Sequence, residues 1–285
     1  MAFTGLPPSQ QARLFIEINS KQKKVSQILL QTLVAELNWD ADDPEVRLGA
    51  IISKAIQELD ADAESVFHQR IQTSDDPRDN KQCITITSLH SAIERTQLHI
   101  AKMKHGEVVE YGPLWAGDNF ATLKRTTFVL NGWFQIVRDA VPEWWDKGAE
   151  PGGGLAMNDG VTTCVNVLRS VLQHLESHGK KLVHLDNDDL LELIRKYGEK
   201  LGAHLAGLSE ENRKHFRDLR GTQGVTARTR RCQKAIRDQI PEFNPPGLEE
   251  FLELEKAQTN QRAKDIIDRI ERTLQKVVLA ELRQS

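Results

Sequence analysis

DPEVRLGAIISKAIQEL occupies Asp43 to Leu59, and its reading sets the fold class. Leu48, Ile51, Ile52, Ala55, Ile56 and Leu59 recur at spacings of 3, 1, 3, 1 and 3. That pattern places all six on one side of a 3.6-residue helix. Pro44 suits the first helical position, where its missing N–H costs no hydrogen bond. The same logic extends outward. Ser26 is an N-cap, with Val25 and Leu30 as a hydrophobic staple and Leu30, Leu33, Val34 and Leu37 as the apolar face behind it. Asn119 to about Val141 is a long helix carrying Phe120, Leu123, Leu130, Phe134 and Val137. Val161 to His178 is another, with Gly179 placed as its C′ residue. Leu190 to Leu205 follows, and Ser209-Glu210-Glu211 opens one more, with acids on its positive end. From Leu248 to Leu282 no proline or glycine interrupts the chain. Ala263, Ile266, Ile270, Leu274 and Val277 fall near one face there, which predicts a long helix packed either on its own body or on a partner.

Strand signals are sparse. Cys83 to Thr87 (CITIT) is short and β-branched, Ser88 caps a helix expected to reach about Met103, and Ala2 to Gly5 reads as the tail of a strand. Gln72 to Lys81 reads as an exposed loop, and Pro151 to Gly154 (PGGG) as a flexible break. The fold class expected is mainly α with a few short strands. Three regions follow: residues 1–75, a helical body over 76–206, and a basic helical region over 207–285 with a long terminal helix.

The chain has 285 residues and a net charge of −3, so it is no polycation, and a nucleic-acid surface would have to be a local patch. No apolar run approaches the ~18 residues a membrane helix needs. Cys83, Cys164 and Cys232 are scattered and odd in number. They suggest neither a disulfide framework nor a CxxC metal pattern and favour a reducing, cytoplasmic setting.

LFIEINSKQKKVSQILL (Leu14 to Leu30) resembles the segment that follows the signature motif in the DGQHR-domain family, which is DndB-like and ParB-related. The residues that carry the likeness are Phe15, Ile16, Asn19, Lys21, Gln22, Lys24, Val25 and Ser26. GGGLAMNDGVTTCVNVL (Gly152 to Leu168) is similar to a central segment of family members. FNPPGLEEFLELE (Phe243 to Glu255) and IIDRIERTL (Ile266 to Leu274) are similar to their ends. The DGQHR motif itself is missing ahead of Leu14, so the chain reads as the C-terminal part of a family member. On that resemblance residues 1–75 are the remnant of a ParB-like α/β domain. Asn19, Lys21 and Gln22 then form half of a nucleotide-phosphate site, ahead of a helix N-terminus that favours anions. No cofactor is expected for this chain, and a nucleotide only if the upstream motif is restored.

The strongest charge signal lies between Glu210 and Asp238. Nine basic residues against four acidic ones give this window +5 in a chain of net −3. Arg220, Arg228, Arg230, Arg231 and Lys234 are the candidate DNA contacts, with Lys21, Lys23 and Lys24 as a second basic spot. Lysine and arginine that neutralise phosphates release counterions. The amides and threonine hydroxyls of RGTQGVTARTRR could hold a DNA backbone in register. The alternative is a solvated face with acidic partners elsewhere.

Other patterns carry less. His174 and His178 have metal-ligand spacing, but the HExxH pattern fails and a surface pair is the favoured reading. Trp115, Trp144 and Trp145 favour packing over base stacking. Asp186, Asp188 and Asp189 favour capping over a cation site. The function expected is a DNA-associated accessory or regulatory protein of a bacterial DNA-modification or phage-defence system, non-catalytic as this chain. The alternatives are a fragment or subunit of a nucleotide-dependent hydrolase or nuclease, and a protein-interaction scaffold. Partners expected are DNA and, through the terminal helix, a second copy or other proteins of such a system.

Overall fold

In the computed structural model, residues 14, 33, 35–72 and 79–284 are described. Ser26, the lysines at 21, 23 and 24, Asn19, Gln22 and most of the Leu14–Leu30 segment lie outside them.

The expected periodicities fold as helices. Helix α1 spans Pro44–Ala61, and Asp43 caps it by accepting from Glu45 N and Val46 N. Its apolar stripe, Ile51, Ile52, Ala55, Ile56 and Leu59, is buried. Strands β1 (Ile71–Gln72) and β2 (Ile84–Thr85) form a two-residue parallel bridge. Helix α2 (Ile86–Arg95) begins earlier than expected, because the Thr85 hydroxyl, three residues ahead of Ser88, accepts from Ser88 N and serves as the cap. It also ends earlier. The Thr96 hydroxyl donates to Ile93 O and Gln97 adopts φ 55°, which terminates the helix. The chain then forms an antiparallel hairpin, β3 (Ile100–Lys104) and β4 (Glu107–Tyr111). His105 and Gly106 reverse it, both at positive φ as a type I′ turn requires.

Helix α3 (Asn119–Ala140) is the central strut, packed on α1 and on α6 (Asn187–Ala206). Its approach to α6 depends on small residues. A Cβ on Gly202 would lie 2.6 Å from Ala140 Cβ, and one on Gly198 3.1 Å from Ile136 Cγ2. The Arg125 guanidinium is buried and donates to the carbonyls of Trp115, Leu182, Val183 and Leu185, which fixes the 3₁₀ turn Leu182–His184. The short helix α4 (Pro142–Asp146) buries Trp144 and Trp145. Phe67, Phe134 and Trp145 form a ring cluster with centroids 4.8–5.8 Å apart.

Helix α5 (Asn158–Ser177) is apolar around most of its circumference, as an enclosed helix must be, and α2 and α8 pack against it. Gly179 has φ 79°, as its C′ role requires. His174 is not a surface residue; its ring is enclosed by Tyr197 and Phe243, while His178 is exposed. Asp186 caps α6 by accepting from Asp189 N. Ser209 caps α7 (Glu210–Asp218) by accepting from Asn212 N. Helix α8 covers Gly221–Arg237. One apolar core runs from Ile52 to Phe243 across the divisions expected near residues 76 and 207.

A second compact unit begins at Asn244 and holds helix α9 (Leu248–Gln284). Ile266, Ile267, Ile270 and Leu274 on this helix are 54–60% exposed. Among the described residues no helix is long and apolar enough to cross a membrane.

His99 is fully enclosed. Thr126 Oγ1 donates to Thr122 O and is therefore free to accept from His99 Nε2–H at 2.8 Å. Burial, aided by repulsion from His90, pushes the His99 pKa down from 6.5 to about 3. The unfolded chain then binds more protons between those values, so stability is full above about pH 6.5 and falls as pH drops toward about 3. Urea unfolding of the wild type is expected to show this decline at up to ~1.4 kcal/mol per pH unit, and His99→Gln is expected to lack that component.

Candidate functional site

Five segments meet at a pocket of about 410 Å³. They are the 79–83 turn, the 148–157 loop, the N-terminus of α5, the Arg217–Arg220 link and Arg228 of α8. Asp79 shapes the first by accepting from Lys81 N and Gln82 N, and Asn80 O accepts from Ala149 N at 2.9 Å. Cys83 Sγ donates to Ala156 O, and Asn158 Oδ1 accepts from Thr85 N.

The glycine-rich loop is fixed rather than left as a loose break. Arg217 donates to Glu150 O at 2.6 Å and to Ala149 O at 2.7 Å. Its aliphatic stem lies over Gly154, where a Cβ would meet Arg217 Cγ at 3.0 Å and where φ is +127°. Only glycine combines that backbone geometry with room for the arginine.

Helix α8 explains why the basic window does not act as one outward patch. Its inward face is Gly224, Val225, Arg228, Thr229, Cys232, Gln233 and Ile236. Arg228 is 1% exposed, 3.3 Å from Asp159 Oδ2 through Nη2, and over the Phe216 ring at 5.1 Å. The expectation that Arg228 projects to the surface is therefore corrected: helical periodicity turns it into the α5–α8 seam, where Asp159 neutralises it. Two threonine hydroxyls are also already occupied, since Thr226 and Thr229 donate to carbonyls one helical turn back. Arg220 is exposed and lines the same pocket as Arg228. Arg231 is exposed, Arg230 donates to Gln233 Oε1, and Lys234 is half-buried; none of the three lines this pocket.

Sequence reasoning missed Arg217, Asn158 and Asp159. Both Asn158 and Asp159 lie in the stretch read as a family likeness, MNDG, immediately before a helix, and that position was the available signal.

The electrostatics favour an anion. Three arginines face two aspartates in the lining. Met157 and Arg220, the N-cap residues of α5 and α8, supply no side-chain cap of their own. Asp159 Oδ2 does accept from Gly221 N at 3.2 Å. Burial lowers the Arg228 pKa and the Asp159 charge opposes that shift. An arginine remains a cation throughout. Burial pushes the Cys232 thiol up to about 12 and that of Cys83 in the same direction, so both are neutral and neither is an activated nucleophile.

On the far side of Arg217 and Arg220 lies a second depression of about 780 Å³, lined by Lys147, Arg213 and Lys214, with Glu210 and Asp218. A wider hollow between α1, α3 and α6 presents Glu58, Asp62 and Lys124, a mixed lining in which cations do not converge. No group of three or more metal-ligating side chains occurs among the described residues. In comparisons with known families, curated proteins and solved structures, nothing matches this chain.

Asp159→Asn is expected to leave Arg228 buried without its counter-charge. Because Asp159 is itself 38% exposed, the cost is discounted from that of a fully buried pair to about 1–3 kcal/mol. Chemical denaturation checks this, and unchanged stability would show that Arg228 does not depend on Asp159.

Proposed function

We propose that this chain is a DNA-associated accessory or regulatory protein of a bacterial DNA-modification or defence system, contacting phosphates rather than performing chemistry. One observation carries the DNA-contact part: Arg217 and Arg220 are shared by two adjacent depressions, so cations line the surface from Lys147 and Lys214 to Arg220 and outnumber Glu210 and Asp218 among them. A track of cations is what contact with successive phosphates requires, whereas a single ion pair site needs only one. The link to DNA modification rests on the DGQHR-family likeness of the segments quoted above. Arg231 is exposed on α8, and Lys21, Lys23 and Lys24 lie outside the described residues.

Duplex DNA binding by fluorescence anisotropy is expected to weaken steeply with salt. Arg220→Ala and Lys214→Ala should each lower affinity evenly across sequences and reduce the log–log salt slope by about 1. Binding that is absent, or unaffected by both substitutions, would reject this surface.

The exposed stripe of α9 supports a second role, self-association through a helical seam. Ile267, Ile270 and Leu274 follow one another at the 3, 4 spacing of such a seam. Sedimentation is expected to show a concentration-dependent oligomer that Ile270→Asp dissociates; a monomer at all concentrations would exclude it.

A further inference from the structure

We infer that the inner pocket takes a terminal phosphate monoester, end-on, with Arg228 at its buried end and Arg220 at its mouth. This rests on the phosphate-contact reading above, since Arg220 belongs to both, but it specifies the chemical group bound.

Two independent features point to a ligand. The N-terminus of α5, a helix of 20 residues whose N-cap Met157 supplies no side-chain cap, opens on the pocket. Arg228, 1% exposed, lines it as well, and its Nε and Nη2 have no hydrogen-bond partner. Nη2 lies within 3.3 Å of Asp159 Oδ2, yet the pair is not directed as a hydrogen bond. A further acceptor in the pocket would satisfy these donors.

The charge balance selects the ligand class. Three arginines and two aspartates leave +1, and the α5 N-terminus adds about +0.5. The surplus of about +1.5 meets the lower end of the roughly −1.5 to −2 of a phosphate monoester at neutral pH. An internal phosphodiester carries only one negative charge and an ester substituent on both sides. A monoester enters with its three oxygens leading and needs room for a substituent at the mouth alone. The pocket volume of about 410 Å³ accommodates such a group together with its first attached sugar. The monoester can come from a free nucleotide or from the end of a strand, and both present the same group.

The test compares a 5′-phosphorylated oligonucleotide duplex with its 5′-hydroxyl counterpart at one salt concentration. A nucleoside 5′-monophosphate and inorganic phosphate serve as competitors. The phosphorylated duplex or the mononucleotide is expected to bind about tenfold or more tightly than its unphosphorylated form, and inorganic phosphate should erase the difference. Preference shown by the duplex alone identifies strand ends; preference shown by the mononucleotide identifies the free ligand. Arg220→Ala, at the exposed mouth, should bring the ratio to about 1 with the fold intact by circular dichroism. Asp159→Asn removes a competing carboxylate and should tighten monoester binding several-fold, a gain that a merely structural role would not give. Equal binding of phosphorylated and unphosphorylated forms overturns this inference and leaves backbone contact standing. Monoester binding without any duplex binding does the reverse.

Discussion

Burying the Arg228 guanidinium is the constraint around which the α5–α8 side of the molecule is arranged. Taking a cation out of water costs several kcal/mol unless an anion accompanies it. Asp159 at the start of α5 is that anion, and its Oδ2 also accepts from Gly221 N at the start of α8. One carboxylate therefore fixes the register of two helices. The Phe216 ring beneath Arg228 stacks edge-on with Trp144, which links the same cation to the tryptophan layer of α4.

Because both helices are held at their N-termini, the positive end of α5 and the Arg228 guanidinium of α8 meet at one pocket. Arg217 closes the neighbouring loop by binding two of its carbonyls, and Gly154 gives its stem room to do so. Packing thus concentrates positive potential where the chain as a whole has none to spare, its net charge being −3. The three cysteines are buried and free among the described residues, and they contribute packing rather than reactivity.

How far the sequence reveals this differs by element. Helices α1, α3 and α6 announce themselves because their buried faces are apolar at helical spacing, and Asp43, Asp186 and Ser209 mark starts with side chains that accept from the first turn. Helix α8 carries no such stripe. Its inward face includes Arg228, whose charge Asp159 neutralises across the seam, Thr229, which bonds within α8 itself, and Gln233, which donates to Ser170. A polar buried face looks like a solvated one until its partners are known, and the two partners across the seam, Asp159 and Ser170, lie over 60 residues away. The β3–β4 hairpin was obscured similarly, since its turn is His105-Gly106 and its strands are largely exposed. The concentration of arginine was legible; which of those arginines face one another was not, because that depends on α7, α8 and α5 meeting in space.

The most direct test of the central claim is to locate an anion in a crystal of the protein soaked with tungstate, a heavy tetrahedral dianion. The expected result is an anomalous peak between Arg220 and Arg228, within hydrogen-bonding distance of Arg228 Nε or Nη2. A peak confined to other sites, with the space beside Arg228 holding none at saturating tungstate, would contradict the account.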